Sequence, residues 1–336
     1  MLKHSNEEGF SSQLGVALVT GGAGFIGSHV VDKLIENRIE IKVLDNLSAG
    51  SLLNLSAHKN NKNFHFIKKD LNYYESLKET LKDVKTVFHF AADPEVKTGF
   101  EHPQISYREN IENTFYLLEQ IRKSNVEKIL FTSSSTVYGE PDIIPTPESY
   151  GPLIPISPYG ASKLACEALI SSYCHNYGLK GQIFRLANVI GSRSKHGVLW
   201  DFINKLKQNN KKVEVLGDGK QSKSYLHVND CMDCFFFCIS INKKQVEIFN
   251  IGNDDRIDVI SIAKIVCDVM NLIDVEIVTT GGVDNGRGWI GDVKKMHLDI
   301  SKVRKLGWSP KLSSVDSVKL ASQELFNEQL VEIIGN

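Results

Sequence analysis

The chain has 336 residues, 42% of them hydrophobic and 24% charged, with 39 basic and 40 acidic side chains and a formal net charge of −1. That length suits one large domain or two lobes rather than a single small core. The balanced charge gives no basic surplus for nucleic acid or an anionic membrane, and no stretch reaches the roughly 18 apolar residues that a bilayer span needs.

Residues 1–13, MLKHSNEEGFSSQ, are polar and lack the apolar region of a signal peptide. We expect a short disordered extension there and a cytoplasmic protein. From Gly15 onward, short apolar runs alternate with amphipathic stretches. Gly15–Thr20, Ile39–Asp45, Phe64–Asp70, Thr86–Ala92, Lys128–Ser134 and Gly181–Asn188 read as strands. The clearest helical pattern between them starts at Pro103, with Ile111, Thr114, Phe115, Leu118 and Ile121 along one face. Strand alternating with helix implies a parallel sheet covered on both sides.

The first strand runs into VTGGAGFIGSHV. Gly21, Gly24 and Gly27, with Phe25 and Ile26 between the last two, form GxxGxxG at the start of a helix. Glycine there allows a tight turn, close backbone approach to a pyrophosphate and close helix–sheet packing. The helix N-terminus favours the anion. A tight strand-to-helix turn is the plain alternative. Asp45 ends the next strand, 18 residues after Gly27. A carboxylate there accepts hydrogen bonds from both ribose hydroxyls and repels a 2′-phosphate, so the expected cofactor is NAD rather than NADP.

Further on, the segment SPYGASK opens a helix. Ser157 is a good N-cap and Pro158 suits the first helical position, so Tyr159 and Lys163 share one face, one turn apart. Alone, that pair reads as an ordinary surface helix. After about residue 190 the segments shorten and glycine turns recur, in LGDGKQ and TGGVDNGRGW. Cys231, Cys234 and Cys238 lie at helical spacing, but a single CxxC lacks the other two ligands of a zinc site. Buried thiols are the better account, and no metal is expected.

Glycine loop, Asp45, FHFAAD, Asn110, TSSSTVYG and YGASK occur in that order. Together they resemble the extended short-chain dehydrogenase/reductase family (NAD-dependent epimerase/dehydratase), from about Gly15 to Pro310. The resemblance implies an α/β fold: a Rossmann-type, doubly wound parallel sheet with a smaller C-terminal α/β lobe for substrate. Residues 14–190 would bind NAD, with the sheet completed by later segments, and residues 191–330 would form mainly the substrate lobe. It places Asn46 with Asp45 at the cofactor, Asp70 and Leu71 by the adenine, and Ala91 and Ala92 along the cofactor. Asn110 supports the site. Tyr159 takes the place of the catalytic base, with Lys163 as its partner. Lys163 would favour the phenolate by opposite charge and hold the nicotinamide ribose. Ser134 matches the serine that bonds the reacting oxygen, with Ser133, Ser135 and Thr136 as neighbours that could claim the role.

The implied opening step takes a proton from a sugar hydroxyl while the same carbon gives a hydride to NAD. Close relatives that remove water carry Asp-Glu in this run; here Ser134 and Ser135 stand instead, which argues against dehydration. Epimerisation at C4 of a UDP-sugar through a 4-keto intermediate is the simplest remaining course, with UDP-glucose and UDP-galactose as the pair. UDP-glucuronate or a UDP-N-acetylhexosamine is the alternative within the family. An NAD-binding sensor without turnover is the alternative from another class. For the nucleotide diphosphate the resemblance points to Asn188, Val198 and Arg287. Lys223-Ser224 stands where many members have Arg-Asp, and Arg287 lies two residues further from the Gly-Asp pair than in many relatives. Gly99 occupies a usual serine position. Lys97 either meets a sugar carboxylate or hydroxyl or is simply solvated. Met296 lies where pocket size varies. The resemblance also implies a homodimer, built on a bundle of the helix after Pro103 and the helix of Tyr159, with Tyr116, Leu117, Leu169 and Tyr173 as apolar contacts.

Overall fold

The computed structural model describes residues 13–334 except 74, 76, 242 and 243. Seven strands, β1 (Val16–Thr20), β2 (Ile41–Asp45), β3 (Phe64–Lys68), β4 (Val84–His89), β5 (Lys128–Ser134), β6 (Lys180–Leu186) and β7 (Val246–Ile251), form one sheet in the order β7-β6-β5-β4-β1-β2-β3. Every neighbouring pair is parallel. Parallel strands need covered faces, and the side chains of β1 divide accordingly. Ala17 and Val19 pack into one core, while Leu18 packs into the other.

The first core is closed by helix α1 (Phe25–Glu36), through Val30, Val31 and Leu34, and by the helix Val228–Ile241, through Cys231, Cys234, Phe235 and Cys238. The three thiols are fully buried, as their spacing suggests. The second core is closed by α2 (Asn113–Ile121) and α3 (Pro158–Tyr177). The local sequence fixes both ends of α3. The Ser157 hydroxyl accepts from the Gly160 amide at 3.0 Å, Pro158 fills the first turn, and Gly178 stops the helix at φ +76°. Its inner face carries Lys163, Cys166, Ile170 and Cys174, spaced three and four apart. A further core lies beyond the sheet. There α4 (Val198–Gln208), the helix Val259–Val269 and the final helix, α5 (Ser314–Ile334), meet through Phe202, Ile203, Ile262, Val266, Val318 and Leu325.

Four details depart from the expectations. The disordered extension was drawn to residue 13; residues 1–12 lie outside the described residues, while the Gln13 carbonyl accepts from Lys128 Nζ at 2.7 Å and Leu14 is fully buried. The helix after Pro103 is not one regular α-helix, because Tyr107–Glu112 is a π-helical turn, although Ile111, Thr114, Leu118 and Ile121 still face the core as expected. From Asn113 the buried stripe is Thr114, Leu117, Leu118 and Ile121, and Phe115 is 41% exposed. The strand expected to run to Asn188 ends at Leu186. Asn188–Ile190 forms a separate parallel ladder with Tyr225–His227. Finally, Leu117 and Tyr173 belong to the core of the chain itself and cannot serve a partner. The large apolar side chains exposed on these segments, among the described residues, are Ile105, Tyr107, Phe115 and Tyr177.

Candidate active site

The strand order reverses between β1 and β4, which opens a crevice at the carboxyl ends of the strands. A cleft of about 1190 Å³ occupies it and continues to α4 and the segment around Trp289. Gly21, Gly24, Phe25, Ile26, Gly27, Asp45, Asn46, Asp70, Leu71, Ala91 and Ala92 all line it.

The glycine turn has a geometric cause. Gly21 sits at φ +68°, and a Cβ there would lie 2.6 Å from the Ala91 nitrogen; a Cβ on Gly27 would lie 2.2 Å from the Gly21 carbonyl oxygen. No side chain caps α1 and its first turn carries no acid, so its first amides are left for an anion. Asp45 is buried. Its Oδ2 accepts from the Ala23 amide at 2.9 Å and its Oδ1 from the Leu47 amide at 2.8 Å. Two carboxylate oxygens offer about four lone-pair sites, so acceptor capacity remains toward the cleft. The Asn46 amide donates to Asp70 Oδ2 at 2.7 Å. Burial pushes the Asp70 carboxyl up, but hydrogen bonds from Asn46 and Asn72 outweigh it and hold the group below its ordinary value. An uncapped anion cradle, a bare backbone wall and a carboxylate at the second strand end fit a dinucleotide such as NAD.

Asp45→Ala should therefore weaken NAD binding at least about tenfold and narrow its advantage over NADP, by removing hydrogen bonds and orphaning the Ala23 amide. Calorimetric titration of both dinucleotides checks this. Equal affinity of the unaltered chain for NAD and NADP would overturn the reading of that carboxylate.

On the opposite wall the serine run and α3 converge. Ser134 ends β5, and Tyr159 lies in the first turn of α3; the Ser134 hydroxyl is near enough to the Tyr159 phenol to favour its phenolate. Ser134 Oγ also accepts from the Thr136 amide at 3.2 Å and from its hydroxyl at 3.0 Å. Lys163 is 4% exposed. Its ammonium donates to the Thr132 carbonyl at 3.0 Å and stands 5.8 Å from the centre of the Tyr159 ring. Burial lowers the lysine to about 8. In the chain alone the balance on Tyr159 is set by burial. Burial pushes the phenol up, the Ser134 hydroxyl opposes it only partly, and Asp93 adds to the rise.

Asn110 was expected among the cofactor residues but does not line the cleft. It sits behind the wall, where its Oδ1 accepts from the Asp93 amide at 2.8 Å and its Nδ2 donates to Ser162 Oγ at 2.8 Å. It thereby ties the turn after β4 to α3. Thr136, Asn188, Val198, Lys223, Met296 and an exposed Lys97 line the cleft. Lys223 is neutralised by Asp292, at 2.6 Å. Arg287 is not brought to the cleft lining. Glu140 holds its fork with two contacts of 2.6 Å, and Asp284 and the Asp292 carbonyl take the rest. An arginine surrounded by acids satisfies its charge locally.

Sequence reasoning missed several lining groups. Asp93 and Asn113 each carry a buried side-chain oxygen without a partner among the described residues. Arg193, Lys195 and His196 bring basic groups to the substrate end, and Trp289 adds an aromatic wall. The GSRSKHG segment directly after a short strand was the legible signal for the basic groups.

Comparison with known proteins places the fold in a family. The profile of the NAD dependent epimerase/dehydratase family matches residues 17–252. A solved UDP-galactose 4-epimerase is 40% identical with a TM-score of 0.83, covering 93% of this chain and 99% of its own. A UDP-glucose 4-epimerase from Thermotoga maritima, solved with UDP-glucose, is 34% identical at a TM-score of 0.83, over 94% and 99% of the two chains. A UDP-glucuronic acid 4-epimerase from Bacillus cereus, solved with UDP-glucuronic acid and NAD, is 28% identical at a TM-score of 0.83, again over 94% and 99%.

Proposed function

The chain belongs to the NAD dependent epimerase/dehydratase family, with NAD as its cofactor, and we propose that it interconverts UDP-glucose and UDP-galactose by epimerisation at C4. The observation that carries the reading is the meeting of Tyr159, Lys163 and Ser134 at a cleft whose serine run offers hydroxyls and no carboxylate.

When bound, NAD supplies reversible hydride acceptance at the sugar carbon. The chain supplies the proton chemistry. Tyr159 Oη takes the proton of the C4 hydroxyl, directly or through Ser134 Oγ, and returns it at the end. Lys163 keeps a positive charge one helical turn away and below about pH 8 carries its proton. Ser134 and Thr136 hold the reacting oxygen. A 4-keto sugar must then turn over, so the nucleotide has to be gripped while the sugar stays loose. α4 supports that grip. Gly197 precedes it at φ +86°, no side chain caps it, and Val198 opens it at the cleft. With Arg287 held by Glu140, the diphosphate falls to the amides before and after Val198, to Asn188 and to the basic loop.

Lys97 and Met296 are the side chains that bear on a second reading, 4-epimerisation of UDP-glucuronate or of a UDP-N-acetylhexosamine. Met296 lines the cleft and is 93% buried in its wall, a medium side chain that leaves acceptance of an N-acetyl group open. Exposed Phe115 and Tyr177 support a homodimer through these helices.

NMR of the purified protein with NAD and, in separate tubes, UDP-galactose, UDP-glucuronate and UDP-N-acetylglucosamine tests the assignment. The expected result is conversion of UDP-galactose to its C4 epimer without net NADH. A 4-keto product, a lost carboxylate or stoichiometric NADH would overturn the reaction.

A further inference from the structure

The loop from Gly191 to Gly197 joins the short strand Asn188–Ile190 to α4, and Arg193 to Gly197 face the cleft. Two helices far apart in sequence hold it. From α5, Glu324 Oε2 accepts from the Ser192 amide at 2.9 Å, and Glu328 Oε2 accepts from the next amide, Arg193, at 3.0 Å. The two carboxylates lie one helical turn apart and catch consecutive amides. From α1, His29 Nε2 donates to the Ser192 carbonyl at 3.1 Å, and Asp32 pairs with the Arg193 guanidinium at 2.8 Å.

The loop has no regular structure that would account for this holding. Arg193 stands at φ +68°, a conformation a side chain rarely adopts without surrounding restraint. The clamp is itself anchored. His227 is fully buried and its Nδ1 accepts from the Asn229 amide at 3.3 Å, so its proton is on Nε2, which donates to Glu324 at 3.0 Å. Asp32 has a second partner, His58, at 2.6 Å. Neither Asp32, Glu324 nor Glu328 lines the cleft.

We propose that Asp32, Glu324 and Glu328 are positioning residues that lock this loop, and with it the first turn of α4, in the shape that binds the substrate diphosphate. This rests on the nucleotide-sugar reading above. The lock joins the cofactor helix α1 to the substrate helix α4. The final helix α5 is then part of the binding apparatus, although it reaches no ligand itself.

The test uses Asp32→Asn, Glu328→Ala and their combination in the full chain with NAD. UDP binding is measured by calorimetry and turnover with UDP-galactose. The expected result for the pair is about tenfold weaker UDP binding and a matching rise in KM, with kcat within about twofold, the scale of lost charge-assisted hydrogen bonds. Amide hydrogen exchange in residues 191–197 should quicken. Unchanged UDP affinity and KM would overturn the proposal, including in the case where only the melting temperature falls, since the lock would then serve stability alone. Failure of the unaltered protein to bind UDP would remove the nucleotide-sugar reading itself, a result distinct from a variant that binds UDP normally.

Discussion

Tyr159→Phe should lower turnover by at least about a thousandfold, on the scale of a lost general base, while leaving the fold and NAD binding nearly intact. The structure explains the asymmetry. The phenol lies beside Ser134, and Ser134 Oγ keeps two other partners, both from Thr136, when the phenol is gone. The Ser134 O–H that loses the phenol lies at the open cleft rather than in the core, so the stability change should stay within about 1 kcal/mol. The chemical loss has no such relief. Asp93 is itself raised by burial, and Lys163 already donates to the Thr132 carbonyl, so neither replaces a phenol placed at the serine run. Transfer is read as exchange of label between C4 epimers, with bound NAD counted by absorbance. A fully active variant would remove Tyr159 as base and move the role to another group on the same wall.

The raised phenol also shows where sequence reasoning stopped. The pairing of Tyr159 with Lys163 was legible because a helix of known start, Ser157-Pro158, puts residues four apart on one face. The burial of Lys163 beside a half-buried Tyr159 was not legible, because it depends on how α3 lies against β5 and β6. The parallel sheet was readable for the same reason as the helix: strand periodicity and glycine turns are local signals. Asn110 and Arg287 illustrate the opposite case. Each sits close to its expected neighbourhood, yet tertiary partners take its polar atoms away from the cleft, Asp93 and Ser162 for the one and Glu140 for the other. Which of several acids an arginine will meet is set by a separation of 147 residues, which no pattern in the chain encodes. Phe115 on α2 is likewise exposed while Leu117 is buried, a choice set by how α2 rests on the sheet rather than by the helical period.

Ser134→Ala should slow turnover by about a hundredfold with little change in KM, the scale of a lost transition-state hydrogen bond or proton relay. Ser134 is suited to a relay because its oxygen accepts from the Thr136 hydroxyl at 3.0 Å and its hydroxyl favours the Tyr159 phenolate. An alanine there leaves the Thr136 amide without its side-chain acceptor, so a small loss of stability should accompany the loss of rate. The pH profile separates the two causes. If Ser134 passes the proton to Tyr159, the variant's profile should shift upward in pH on its acid limb, where Tyr159 loses its proton, whereas a purely structural lesion would scale the whole curve. The neighbouring hydroxyl is the rival. Ser133 Oγ is buried at the cleft with no partner among the described residues, which is where a group waiting for a substrate hydroxyl would stand. Parallel measurement of Ser133→Ala decides between them. An unchanged rate in Ser134→Ala together with a large loss in Ser133→Ala would hand the reacting oxygen to Ser133. Tyr159 would then act without the relay.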